Sequence, residues 1–393
     1  MGTVPARSAC LVGVGESAYQ RRSDAPFARL QLDALDAALA DAGLSRDDVQ
    51  AVHTESLAMP GLLSTDKLVR FARLAGVREA AYHSGYGAGI GQALVAAARG
   101  IESGRIDTAV VYFGVDFGSR PGAVYALHGV HPQKRDLEFT QGFLGQPAYF
   151  ALFARRYAHR YGMTVDELRA TFREIAIRTR ANAALNKNAI ARRPLTPEEY
   201  DGARMIADPL GLYDCSLVSD GAAAIVLTTA ERAADCPHRP VRIVGSGYGQ
   251  SLLDESGVFT QNPDYPRLPF VADSARRAFA DAGVLPGDID VAEIYDCFTI
   301  SLLLQLEDMG LCEPGEGPDL VAGDSIAVGS ARPINTHGGL LSQAYVMGIN
   351  HIVEAVHQLR GDAGAAQVTD AELALVGLLS AREHTTLVLG RDR

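Results

Sequence analysis

Short runs of Val, Ile, Leu and Ala alternate along the chain with longer stretches in which apolar residues recur every three to four positions. The first pattern predicts strands and the second predicts helices with one buried face. ACLVGVG from residue 9, DTAVVYFGV from 107, AAAIVLTT from 222, VRIVGSG from 241, VAEIYDCF from 291 and HTTLVLG from 384 read as strands. LQLDALDAALADAGL, closing on Gly43, and GQALVAAARGIESG read as helices. AYFALFARRYAHRYGMTVDEL reads as an amphipathic helix that stops at Gly162, with Thr164 capping the next one. Strands alternating with helices predict an α/β protein.

The pattern also repeats. Residues 32–52 resemble residues 273–294, and Asp41-Ala42-Gly43 recurs as Asp281-Ala282-Gly283 at an offset of 240. Each copy follows a strand ending in Gly (LVGVG, RIVGSG) and leads into another strand. This predicts a duplicated α/β unit. We expect one half at 1–235, carrying an inserted loop region at about 117–205, and a second half at 236–393. AADCPHRP at 233–240 is the expected joint.

With 393 residues and 47% hydrophobic content, the chain can bury a large core. A net charge of −11 argues against a nucleic-acid footprint, which needs a basic face. No apolar run is long enough for a membrane helix, and the N-terminus lacks a signal-peptide pattern, so a cytoplasmic protein is expected. Five widely spaced cysteines without a CxxC predict neither a disulfide framework nor a zinc ribbon.

Few local motifs carry chemistry. GVGESA at 13–18 resembles a dinucleotide fingerprint, but no helix starts where the pyrophosphate would need one. There is neither a P-loop nor a GxSxG nucleophile. HGVH at 128–131 and the pair His351/His357 lack a third ligand at a supporting spacing, so no metal is expected. GYGAGIGQ at 85–92 is a Gly-rich loop feeding a helix, where a ligand can approach the backbone and the positive helix end. EIYDCFT at 293–299 and THGGLLSQAY at 336–345 are two polar clusters.

Taken together, EIYDCFT, CSLVSDGAAAIVLTT, ARRYAHRYGMT and NTHGGLLSQAYVMGINHIVEAVHQLRG resemble the thiolase superfamily, in its sterol-carrier-protein-x or lipid-transfer branch. The resemblance runs from LVGVGES to TTLVLGR. It implies an αβαβα five-layer sandwich of two similar halves, usually in a dimer. The thiolase machinery is missing, however. The family's nucleophilic Cys aligns with Gly87, its catalytic His with Tyr345, and its second Cys falls in GLLSAREHTT, which has none. The Asn or His before the Asp-Cys-Phe step is Tyr295. Without a nucleophile and its base, acyl transfer is not expected.

This substitution pattern resembles the steroid side-chain-cleaving aldolases of the branch. They break a carbon–carbon bond in a β-hydroxyacyl-CoA by retro-aldol cleavage, releasing a ketone and a short acyl-CoA such as propanoyl-CoA. The resemblance implies a 17-hydroxy steroid substrate with a short CoA side chain, and no cofactor beyond the CoA of the substrate. It also implies a small OB-fold, zinc-ribbon partner in a heterotetramer. Such cleavage needs a base, a proton donor and an oxyanion clamp. Tyr295 and Tyr345 are expected to face each other as that pair, with His337 and Asp296 as the candidate neighbours that help a phenol act as base, and Tyr248 lining the pocket. Gly87, Gly89, Gly338 and Gly339 are expected to let the thioester approach the backbone, with Arg178, Arg180 and Lys187 toward CoA. A non-catalytic acyl-CoA-binding or scaffold subunit is the alternative.

Overall fold

From the N-terminus come β1 (Ala9–Glu16), α1 (Phe27–Ala42), β2 (Ala51–Glu55), β3 (Glu79–His83), α2 (Ala88–Glu102) and β4 (Thr108–Asp116). An excursion follows, with α3 (Gln146–Tyr161), α4 (Val165–Leu185) and the short hairpin of β5 (Met205–Ala207) and β6 (Leu210–Gly211). β7 (Asp220–Thr229) returns to the sheet. The second run is β8 (Val241–Gln250), α5 (Pro269–Ala282), β9 (Val291–Ile294), α6 (Thr299–Asp308), α7 (Ile349–Arg360), β10 (Leu373–Leu379) and β11 (Glu383–Arg391). The structure is a computed structural model and describes residues 7–55, 63–85, 87–122, 132–251, 260 and 265–391.

Nine strands form one mixed sheet in the order β3-β2-β4-β7-β1-β8-β11-β10-β9. β2 and β4 are parallel, then β4–β7 and β7–β1 are antiparallel. The other side mirrors this, with β9–β10 parallel and β10–β11 and β11–β8 antiparallel. The two half-sheets meet at a single pair, Leu11 with Val241. α1 covers the outer face of the first half-sheet, and α5 and α6 cover that of the second. α2 and α7 lie between, touching strands of both halves in one buried cluster. This is the expected five-layer α/β sandwich.

The repeat at offset 240 has a physical basis. A Cβ on Gly13 would run into the Ala38 carbonyl of α1, and one on Gly245 would run into the Ala278 carbonyl of α5. Spaced glycines therefore let each helix lie directly on its strand. Asp41 accepts the Val14 N–H at 2.9 Å, and Asp281 accepts the Ser246 N–H at 3.0 Å. Both helices close on a glycine in the left-handed region, Gly43 and Gly283. GVGESA is thus strand up to Glu16, with its glycines facing a helix and not a pyrophosphate.

Candidate active site

β9 ends at Ile294, and the chain turns inward at Tyr295. Beneath it, α2 begins after Gly87, whose φ is +107°. A Cβ on Gly87 would lie 2.8 Å from the Leu379 carbonyl oxygen and 3.1 Å from Tyr295 Cε2. The space beside the thiolase nucleophile position is therefore filled by the Tyr295 ring. Gly87→Cys is expected to restore no acyl transfer and to cost about 2–4 kcal/mol, from the left-handed backbone and the clash. Thermal unfolding and a thiolysis assay check this.

Tyr345 comes from the other side. Gly338 and Gly339, both at positive φ, open a single π-helical turn over Gly339–Gln343, and α7 starts only after Gly348. Tyr345 lies between them, with its N–H donated to Ser219 Oγ at 2.9 Å and its carbonyl accepting from the same hydroxyl at 3.0 Å. The hydroxyls of Tyr295 and Tyr345 are 2.9 Å apart. The structure thus brings the two tyrosines together. Tyr295 is buried, whereas Tyr345 is half-buried and packs its ring near Phe117. Burial holds both phenols above their ordinary range. The neighbouring Cys297 thiol is pushed up by burial as well, so it is no ready thiolate.

Neither His337 nor Asp296 hydrogen-bonds to a tyrosine hydroxyl among the described residues, so the help expected from them for a phenol base is not a direct contact. Both are fully buried behind the turn. Asp296 accepts the N–H groups of Leu340 at 2.6 Å and Leu341 at 3.4 Å, fixing the backbone that leads to Tyr345. His337 Nδ1 lies 2.8 Å from Glu293, and that carboxylate holds the imidazole above its usual pKa. His351 stands perpendicular to His337, with ring centroids 4.9 Å apart. His357 is elsewhere, paired with Asp362, and HGVH lies outside the described residues.

The glycines also play a different part from the one expected. Gly87 N–H is not free for a thioester oxygen; it is donated to Glu55 Oε2 at 2.6 Å. Glu55 ends β2 and caps α2 with its own carboxyl. Gly89 is small because the carbonyls of His83 and Ser84 and the Glu55 side chain press against it. Gly338 faces Ala183 of α4, and Gly339 faces the Asp296 carboxylate. Burial pushes Glu55 up to about 8, against the hydrogen bonds from Gly87 and Ile90, with the Glu383 carboxylate adding to the rise. Glu383, at the start of β11, packs against Gly85, and burial raises it too. Tyr248, on β8, is pushed up to about 12 by burial and by Glu383. It flanks the site through Glu383 and makes no hydrogen bond or ring contact with the Tyr pair among the described residues.

The reading from the chain alone missed Glu55 and Glu383. The repeat held a signal for the first, since Glu55 stands 240 residues before Tyr295. Arg178 is committed to an ion pair with Asp324. Arg180, two residues on and so turned by about 200°, donates to Ser342 Oγ at 3.1 Å and lies over the Tyr213 ring. Lys187 is exposed just beyond α4.

Residues 254–391 match the family model described as "Thiolase C-terminal domain-like". The chain is 36% identical to the 17-hydroxy-3-oxo-4-pregnene-20-carboxyl-CoA lyase of Mycobacterium tuberculosis, over 97% of this chain and 99% of that one. It is 33% identical to the steroid side-chain-cleaving aldolase of Thermomonospora curvata, covering 98% of each. The solved structure of an Ltp2-ChsH2(DUF35) aldolase superposes with a TM-score of 0.89 at 31% identity, over 98% of each chain. With full-length identity at this level, the chain belongs to the thiolase-like sterol-carrier family, among its carbon–carbon lyases.

Proposed function

We propose that this protein cleaves a β-hydroxyacyl-CoA, a 17-hydroxy steroid with a short CoA side chain, into a 17-ketone and propanoyl-CoA. The observation that supports this most is the hydroxyl-to-hydroxyl contact of Tyr295 and Tyr345, at the positions aligned with the Asn or His and the catalytic His of a thiolase, beside Gly87 at the Cys position. In the reaction the 17-hydroxyl loses its proton, the bond between ring and side chain breaks, and the electron pair passes into a thioester enolate. A proton then returns at carbon, giving propanoyl-CoA. Nothing is oxidised, and no acyl-enzyme forms.

Tyr345 is the more open of the pair and meets the substrate hydroxyl; as it takes that proton it hands its own to Tyr295, and the relayed proton returns to the enolate carbon, so the neutral pair ends as it began. A phenol is a weak base at neutral pH. Glu55 is the nearby carboxyl whose charge changes near pH 8. Once ionised, it holds both tyrosines in the neutral form. Arg180 and the exposed Lys187 flank the approach from the side of the turn at Ser342 and carry the basic charge for CoA.

Glu55 yields a stability prediction. Its folded-state pKa of about 8 stands above the ordinary 4.5, so the folded chain holds a proton that the unfolded chain releases. Folding stability therefore falls as pH rises from about 4.5 to 8. Glu55→Gln should flatten this window, so that wild type and variant diverge most at alkaline pH. Thermal unfolding across that range checks it; parallel curves would contradict it.

The assembly is proposed as a homodimer joined to a small OB-fold, zinc-ribbon partner. β3 sits at the sheet edge with Tyr82 47% exposed, and an open edge strand needs a cover. The Ltp2-ChsH2(DUF35) description of the structural neighbour supports the second component. The protein contains no helix, among the described residues, long and apolar enough to cross a membrane. The test is incubation with the 17-hydroxy 20-carboxyl-CoA steroid, alone and with the partner, followed by mass spectrometry. Appearance of 17-ketone and propanoyl-CoA supports the reading. Bound acyl-CoA without cleavage in both cases would favour a scaffold subunit.

A further inference from the structure

Behind the tyrosine pair lies a cluster that the lyase reading leaves without a chemical role. Glu293 at the end of β9, His337 before the Gly338 turn and His351 in the first turn of α7 converge with 0% side-chain exposure. Glu293 Oε2 is 2.8 Å from His337 Nδ1 and 3.8 Å from His351 Nδ1, and the three donors all lie within 4.8 Å. Glu293 Oε2 and His337 Nδ1 face each other as an ion pair, while both His351 ring nitrogens are buried without a hydrogen-bond partner among the described residues. Buried polar atoms of this kind need an explanation.

The surroundings fit a metal. Bonds of about 2.0–2.1 Å in a tetrahedron set donors about 3.3 Å apart, and the observed separations fall on either side of that. The other oxygen of Glu293 is held by Thr336, through its N–H at 3.1 Å and its hydroxyl at 2.7 Å, which aims Oε2 at the imidazoles. Asp296 Oδ1 stands 3.5 Å from His351 Nε2, on the far side of the ring from Glu293. A carboxylate behind a ligating imidazole is how metal sites fix the ring. Glu293 and Asp296 have no Lys or Arg partner among the described residues, and a divalent cation would balance them.

We propose that Glu293, His337 and His351 form a binding site for one divalent ion of the zinc type. Two imidazoles and a carboxylate are a borderline donor set suited to it. The ion would tie together the three segments that carry Tyr295 and Tyr345, as a structural clamp. This inference does not rest on the lyase reading and would stand in a chain that cleaves nothing.

The test uses the full chain, produced without any partner in zinc-supplemented medium and freed of loose metal by desalting. About one zinc per chain is expected. The cobalt-grown protein should show the visible absorption of a low-symmetry site. His351→Gln and Glu293→Gln should each lower the zinc content at least tenfold. If either variant fails to fold, zinc-edge X-ray absorption on wild type decides, with two imidazoles expected in the coordination shell. Wild-type zinc below about a tenth of an equivalent, zinc unchanged in both variants, or a shell without imidazole would each overturn the proposal. The first of these results would assign the cluster to protonated histidines paired with Glu293.

Discussion

Tyr345→Phe is expected to lower kcat by about a thousandfold while leaving acyl-CoA binding within a few-fold of wild type. The ring stays, so the packing against Phe117 and the shape of the pocket stay. Only the hydroxyl that contacts Tyr295 at 2.9 Å is lost. General acid–base groups typically contribute about 10²–10⁴ in rate, which sets the magnitude. A group that acts only when the hydroxyl proton moves should affect kcat and kcat/KM together. Steady-state kinetics with product quantification, and calorimetry with a non-cleavable acyl-CoA, separate the two. A tenfold rise in KM with kcat intact would make Tyr345 a binding residue and move the chemistry elsewhere.

The largest stability effect is expected at Gly339. Its φ is +60°, and a Cβ there would overlap the Asp296 carboxylate. That carboxylate holds the Leu340 and Leu341 N–H groups in full burial. Gly339→Ala thus combines left-handed strain of about 1–2 kcal/mol with the loss of charge-assisted hydrogen bonds worth about 1.5–3 kcal/mol. A loss of about 3–5 kcal/mol is expected, with activity falling further because the same turn delivers Tyr345. Gly361→Ala is the control. Gly361 has φ +82° with nothing within 4 Å of its missing Cβ, so it should show the backbone cost alone, about 1–2 kcal/mol. Equal losses in the two variants would mean that Asp296 does not brace the turn.

These two residues show how far the chain could be read directly. The turn and its tyrosine were legible because Gly-Gly followed by Leu-Leu-Ser-Gln-Ala-Tyr is a local pattern. The duplicated α/β unit was legible because Asp41 and Asp281 repeat with their flanking strands and caps, and the five-layer sandwich came from the thiolase resemblance. What Gly339 makes room for was not legible, since Asp296 is 43 residues away in sequence. The same holds for His351, which looked like half of a pair with His357 on one helix. Its real neighbours come from β9 and the preceding turn. Arg178 and Arg180 differ only in helical phase, and that phase decides which of them reaches the turn. β3 and β10 escaped notice for opposite reasons. Glu79–His83 is short and polar at an exposed edge, and Leu373–Leu379 is a continuous apolar run with no alternation to mark it.

The central claim is cleavage through an enolate with no acyl-enzyme, and one measurement addresses it most directly. The protein, with its partner, is incubated in D₂O with the 17-hydroxy 20-carboxyl-CoA steroid, and the acyl-CoA product is weighed by mass spectrometry. An enolate protonated from solvent-exchanged tyrosine gives propanoyl-CoA with a single deuterium at C2, formed one for one with the 17-ketone. Unlabelled propanoyl-CoA, or no cleavage at all with acyl-CoA still bound, would contradict the account.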